Sequence, residues 1–142
     1  VQLINGGKFS LDGSPHELDG LTVTDIAKSL AQITRFRGAT RYPYSVCQHS
    51  TFVSRIAEDL TLDDAPENTA VAALAGLFGL VHDVHEIVVS DIPSPLKEKF
   101  NHLTGGMFKR VLELIELEAD ATLWPLFGVH GGPTPTIAYY VK

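Results

Sequence analysis

The chain has 142 residues, 44% of them hydrophobic, and a formal net charge of −6. This supports one domain with a buried core and argues against a protein that coats nucleic acid, which must neutralise many phosphates with Lys and Arg. One cysteine excludes an internal disulfide, no leader pattern opens the chain, and the longest continuous apolar stretch, residues 71–81, is well short of the roughly 20 residues that cross a bilayer.

A cytoplasmic protein with no membrane helix is therefore expected. Val1 is not methionine, so residues are expected to precede it. Residues 1–20 are rich in Gly, Asp, Ser and Pro and read as an irregular arm with little core, with a short hairpin at Lys8 to Leu11. Thr24 is a candidate cap for a helix whose apolar positions Ile26, Ala27, Leu30 and Ile33 recur at helical spacing, ended by Arg35-Phe36-Arg37-Gly38. Ser45 and Gln48 form a capping box, and the helix they start runs to about Leu60.

After a turn at Thr61 to Pro66, a third helix runs to His82, with a start offered by Asp64-Ala65-Pro66-Glu67. Its apolar residues lie around the whole circumference, which predicts a buried helix with His82 and Asp83 emerging from the core. One more turn at Val84 to Val89 precedes Ser90-Asp91-Ile92-Pro93-Ser94-Pro95, where two prolines break the helix. A helix can restart at Pro95 to Asn101. Met107 to Leu123 is amphipathic, with Val111, Leu114, Ile115 and Leu117 assigned to the inner side, and Ile137 to Lys142 begins a last helix. The fold class is all-α.

The chemistry lies in His49, His82, Asp83, Glu86 and Asp91. A lone helical histidine is more often packed or solvated than functional. Here, however, two helices joined by a short connection pack antiparallel, bringing His49 near the start of one beside His82 near the end of the other. Two imidazoles and a carboxylate suit Mn, Fe, Co, Ni or Zn, or Mg with added water. Three protein ligands leave positions open, as catalytic sites do. Glu86, three residues after Asp83, can orient or deprotonate a water, and Asp91 offers a second carboxylate for proton transfer at the leaving group. Arg35 and Lys97 can clamp phosphate oxygens. Arg37 and Arg41 are further cations for more than one phosphate, although a solvated loop explains them equally well. Cys47 reads as a small core residue, His85 as outward facing, and His16, His102 and His130 as loop residues without a role.

His49, His82-Asp83, Glu86 and Asp91-Ile92-Pro93-Ser94-Pro95-Leu96-Lys97, with Arg35-Phe36 and residues 41–50 before them, resemble the HD-domain phosphohydrolase superfamily. The nearest likeness is to its small single-domain nucleotide phosphohydrolases, among them bacterial 5'-deoxynucleotidases and phage enzymes that remove triphosphate from dATP. The resemblance implies an HD-domain helical bundle, a divalent metal on His49, His82 and Asp83, catalytic carboxylates at Glu86 and Asp91, and phosphate contacts from Arg35 and Lys97. It also implies a fourth metal ligand, an aspartate in an Ala-Asp pair on a late helix, usually just after a Val-Lys step, whereas the sequence here stops at Val141-Lys142. Asp120 is a poor substitute, and a chain truncated after Lys142 is the expected explanation. Ser90 stands where glycine is common before Asp91.

Residues 1–142 are thus expected to form one HD domain that attacks the α-phosphorus of a dNTP such as dATP and releases triphosphate. A 5'-deoxynucleotidase acting on dNMP is the alternative within the class, and a non-catalytic HD-fold binding module the alternative outside it. The expected partners are a small nucleotide and further copies of the chain, with no nucleic acid or membrane.

Overall fold

The computed structural model describes residues 1–11 and 16–141. Among the described residues seven α-helices follow in order: α1 Val23–Gln32, α2 Val46–Asp64, α3 Thr69–Val81, α4 Glu86–Val89, α5 Ser94–Leu103, α6 Met107–Leu123 and α7 Pro135–Val141, with 3-10 turns at Arg35–Gly38 and Trp124–Phe127. Among the described residues β-structure is confined to isolated bridges. The all-α bundle is as expected.

Capping chemistry sets most boundaries. Ser45 and Gln48 close the expected capping box on α2. On α1 the cap is Thr22, paired reciprocally with Asp25, and not Thr24. α3 starts at Asn68, whose side chain accepts from the Val71 N–H, and not at Asp64. α2 instead continues through Asp64, with the Thr61 hydroxyl turned back onto the Ala57 carbonyl at 2.7 Å.

α2 and α3 form an antiparallel hairpin at close range. A Cβ on Gly79 would lie 2.9 Å from the Ser54 backbone, so only glycine allows this approach. The buried side of α3 is therefore built from Ala72, Ala75, Gly76, Phe78, Gly79 and Val81, while Leu74 and Leu80 are exposed. The expectation of a helix buried all round is corrected accordingly. Residues 69–89 have the length and hydropathy to cross a membrane. Here they are interrupted by the turn at residues 82–85, and α3 serves as a core helix packed on α2 and α7.

Two apolar clusters form the core. One unites Leu3, Phe9, Leu21, Ile26, Leu30, Val46, Val84, Ala119 and Leu123, and the other Ala57, Ala75, Phe78, Val81, Val129 and Ile137, with Trp124 and Phe127 packed against both. Phe9 is fully buried, so the N-terminal arm contributes core where little was expected. In place of a hairpin at Lys8 to Leu11, Lys8 bridges to Gln2 and to Glu17.

Val111, Leu114 and Leu117 are exposed at 48%, 66% and 65%. Of the four residues expected inward only Ile115 is partly buried, on the side of α6 that buries Ala119 and Leu123, and the other three face outward.

Candidate metal centre

The open end of the α2–α3 hairpin carries the candidate ligands. His49 lies in the first turns of α2, and His82 caps the C-terminus of α3 with Asp83 next in the chain. Asp83 Oδ2 lies 3.4 Å from His49 Nε2 and 3.1 Å from His82 Nε2. The three ligand atoms all fall within 4.8 Å of one another. The imidazole rings meet edge to face, 5.2 Å apart.

This donor set fits a divalent cation. His82 Nδ1 lies 2.7 Å from the Gly79 carbonyl, which only accepts, so that nitrogen carries the proton and Nε2 presents its lone pair toward Asp83. Two acceptors 3.1 Å apart repel unless a cation or proton lies between them. Ligands held about 2.1 Å from one ion are about 3.0 to 3.4 Å apart, as Asp83 Oδ2 is from the Nε2 atom of each imidazole. The Tyr44 hydroxyl, 3.3 Å from His49 Nδ1, fixes the second ring. Burial first, then the Arg35 charge, holds His49 below the usual histidine range and keeps it neutral for ligation.

Around this group the structure assembles the other expected residues. Arg35 Nη1 lies 3.0 Å from Asp83 Oδ2, 3.2 Å from Glu86 Oε1 and 3.5 Å from Asp91 Oδ1. Asp91 Oδ2 accepts the Phe36 N–H at 2.9 Å. Phe36 and Arg37 are both left-handed, with φ of 53° and 57°, a conformation costing L-residues roughly 1–2 kcal/mol each. The Asp91 bond and the Arg35 N–H to Tyr44 carbonyl bond, 2.9 Å, hold this turn so that Arg35 points inward.

Glu86 is buried at 6% exposure, and its Oε2 has no partner among the described residues. Burial, then the charges of Asp83 and Asp91, push its carboxyl up to about 7 against the opposing pull of Arg35. Burial alone would raise Asp83 too, but in metal-free protein a proton on His82 Nε2, where the cation would otherwise lie, and the charge of Arg35 bring its carboxyl below the usual value.

A cavity of about 900 Å³ opens over these groups, with Phe36, Lys97, His85 and Glu116 also in its wall. Lys97 lies 3.5 Å from Glu116. Arg37 and Arg41 do not line this cavity; Arg41 instead lies over the Tyr42 ring.

His85 is not outward facing. Its side chain is 13% exposed, with Nδ1 3.0 Å from Asp120 Oδ1 and Nε2 3.9 Å from Glu116. Burial opposes its charge, but Asp120 and Glu116 outweigh burial and raise its pKa. The sequence signal for this pair was faint: Glu116 and Asp120 are acidic residues one turn apart on the side of α6 opposite Leu114. Asp120 is thereby engaged away from the metal group, as its position in the sequence suggested.

The sequence pattern of the 5'-deoxynucleotidase YfbR-like family matches residues 23–127. The chain belongs to that family. The match covers α1 to the 3-10 turn after α6 and includes every residue of the HD-type site described above. The YfbR-like chain is also 37% identical to the uncharacterised Escherichia coli protein YfdR over 79 residues, 56% of this chain and 36% of that protein. An uncharacterised Rhodobacter capsulatus protein is 30% identical over 99 residues, 68% of this chain and 45% of its own length. The chain spans less than half the length of these curated relatives.

Proposed function

We propose that this chain is the metal-binding HD domain of a nucleotide phosphohydrolase that releases orthophosphate from deoxynucleoside 5'-monophosphates. The observation that carries the proposal is the convergence of His49 Nε2, His82 Nε2 and Asp83 Oδ2, with the buried Glu86 beside them. Residues 1–142 act as one domain, a reading supported by the arm residues Leu3 and Phe9 sharing a cluster with α1, α2 and α6. The number of available cations favours a monophosphate over the triphosphate of a dNTP. Among the described residues Arg35 and Lys97 are the arginine and lysine side chains that line the cavity, and both already face carboxylates.

A divalent ion on His49, His82 and Asp83 polarises a phosphoryl oxygen and acidifies water when bound. Glu86, poised near neutrality, takes the proton of the attacking water as the new P–O bond forms. The P–O5' bond breaks, and Glu86 returns the proton to the departing O5', giving deoxynucleoside and orthophosphate. Arg35 neutralises the phosphate oxygens as their charge grows, and Lys97, partly exposed at the rim, contacts the same group. Both oxygens of Asp91 are engaged by Phe36 and Arg35, so its role is to hold Arg35 in place.

The test is product identification with purified protein and Mn, Co or Zn, offering 5'-dNMP, 3'-dNMP and dATP. Orthophosphate from 5'-dNMP alone is the expected result, and triphosphate from dATP would replace this reading with the other. Stoichiometric metal without any turnover would make the chain a binding module. Failure to bind any divalent ion would remove the metal centre altogether.

A further inference from the structure

Asp83 and Glu86 stand on a stretch of backbone that does not by itself fix their separation. Residues 82–85 form a turn, and α4 after them is only four residues long. The bonds along this stretch are of the tighter three-residue kind, with poorer geometry than a helix: Val84 N–H to the Val81 carbonyl at 3.1 Å, Glu86 N–H to the Asp83 carbonyl at 3.0 Å and Ile87 N–H to the Val84 carbonyl at 3.3 Å. Electrostatics also strain it. Asp83, Glu86 and Asp91 all share the guanidinium of Arg35, so in metal-free protein like charges press the turn apart.

Two adjacent side chains between Asp83 and Glu86 reach α6 instead. Val84 is fully buried in one cluster with Ala119 and Leu123. His85 Nδ1 lies 3.0 Å from Asp120 Oδ1, whereas its Nε2 is 3.9 Å from Glu116, beyond hydrogen-bond length. A carboxylate only accepts, so the proton of the Asp120 bond sits on Nδ1. Asp120 is itself firmly placed, next to the fully buried Ala119 and three residues before the fully buried Leu123.

We propose that Asp120 is a positioning residue: through His85 it ties the turn between Asp83 and Glu86 to α6, and so sets where the Glu86 carboxylate stands relative to the His49–His82–Asp83 group. The apolar contact of Val84 fixes how deep the turn sits but, being non-directional, not how it is rotated. The His85–Asp120 bond is directional and supplies the rotation. The consequence for metal and Glu86 rests on the metal centre proposed above, whereas the tie itself rests on His85 and Asp120 alone.

The test has two arms. In metal-free protein, amide hydrogen exchange over residues 82–90 should be about tenfold faster or more in Asp120→Ala and in His85→Ala, with exchange across α2 unchanged as the check that each variant folds. Asp120→Asn should stay close to the wild type, because the Asn Oδ1 accepts the same Nδ1 proton. The double variant H85A/D120A should be no faster than the faster single variant, as expected of two residues that act only through each other. In the second arm Co is titrated into each protein and followed by its visible absorption. D120A and H85A should bind it at least about tenfold more weakly, and D120N should restore the affinity. Four results overturn the proposal: wild-type exchange in D120A, exchange in D120N as fast as in D120A, additive effects in the double variant, or full Co affinity in a D120A whose turn has loosened. A wild type that takes up no Co would remove the metal centre instead, and the exchange arm would still decide whether Asp120 holds the turn.

Discussion

Glu86 carries the sharpest conflict between stability and chemistry in this molecule. Its folded carboxyl is raised from 4.5 to about 7, so between those values the native state holds a proton that the unfolded chain has released. Stability contributed by this group is full below about 4.5 and is lost as pH rises toward 7 and above. Glu86→Gln keeps the shape without the charge. In metal-free protein at pH 8 it should therefore raise stability by roughly 1–3 kcal/mol, with little effect at pH 4, while abolishing hydrolysis. Thermal melts of both proteins at the two pH values test this; equal shifts at both would disprove the electrostatic cause. Ser90 poses a simpler case. At φ 65° and ψ 167° it occupies a region essentially reserved for glycine, which explains why glycine is common before this Asp. Ser90→Gly should add about 1 kcal/mol, read as a higher urea midpoint at unchanged slope.

The α2–α3 hairpin brings the ligands together, and two glycines on one helix make unequal contributions to it. Alanine at Gly79 would drive a Cβ to 2.9 Å from the Ser54 backbone, which cannot move without shifting α2. Alanine at Gly76 would meet Ser54 and Glu58 at 3.4 to 3.6 Å, close to ordinary contact. Gly79→Ala should therefore cost about 2 kcal/mol or more and loosen metal binding, since His82 is anchored on the Gly79 carbonyl. Gly76→Ala should be neutral or slightly stabilising, because alanine favours the helix by roughly 0.5–1 kcal/mol. Denaturation midpoints with and without metal separate the two. Equal losses at both glycines would show that helix–helix distance is not the controlling quantity.

Across the whole molecule, Trp124 joins the two apolar clusters and donates its indole N–H to the Val81 carbonyl at 3.1 Å, one residue before His82. It is thus both core and support for the site. Trp124→Phe should cost about 1 kcal/mol through the lost hydrogen bond and Trp124→Ala about 3 kcal/mol through the cavity, measured by calorimetry. A Phe variant as damaging as the Ala variant would assign the effect to the hydrogen bond instead of packing.

Local features of the chain were enough to define the helical class, the span of α6, the cap of α2 and the residue types suited to a metal, because caps, prolines and residue chemistry act within a few positions. The antiparallel hairpin that unites His49 with His82 was also legible, since a short connection leaves little choice. Long-range packing settled the rest. α6 offers two apolar sides, and nothing local says which one meets Ala119's neighbours in the core and which faces out. His85 turned inward because Asp120, 35 positions away, supplies its partner. Arg35 faces the carboxylates through a left-handed turn held by Asp91, 55 residues beyond Phe36. Burial and pairing over such separations depend on every element at once, and periodicity along a single helix carries no record of them.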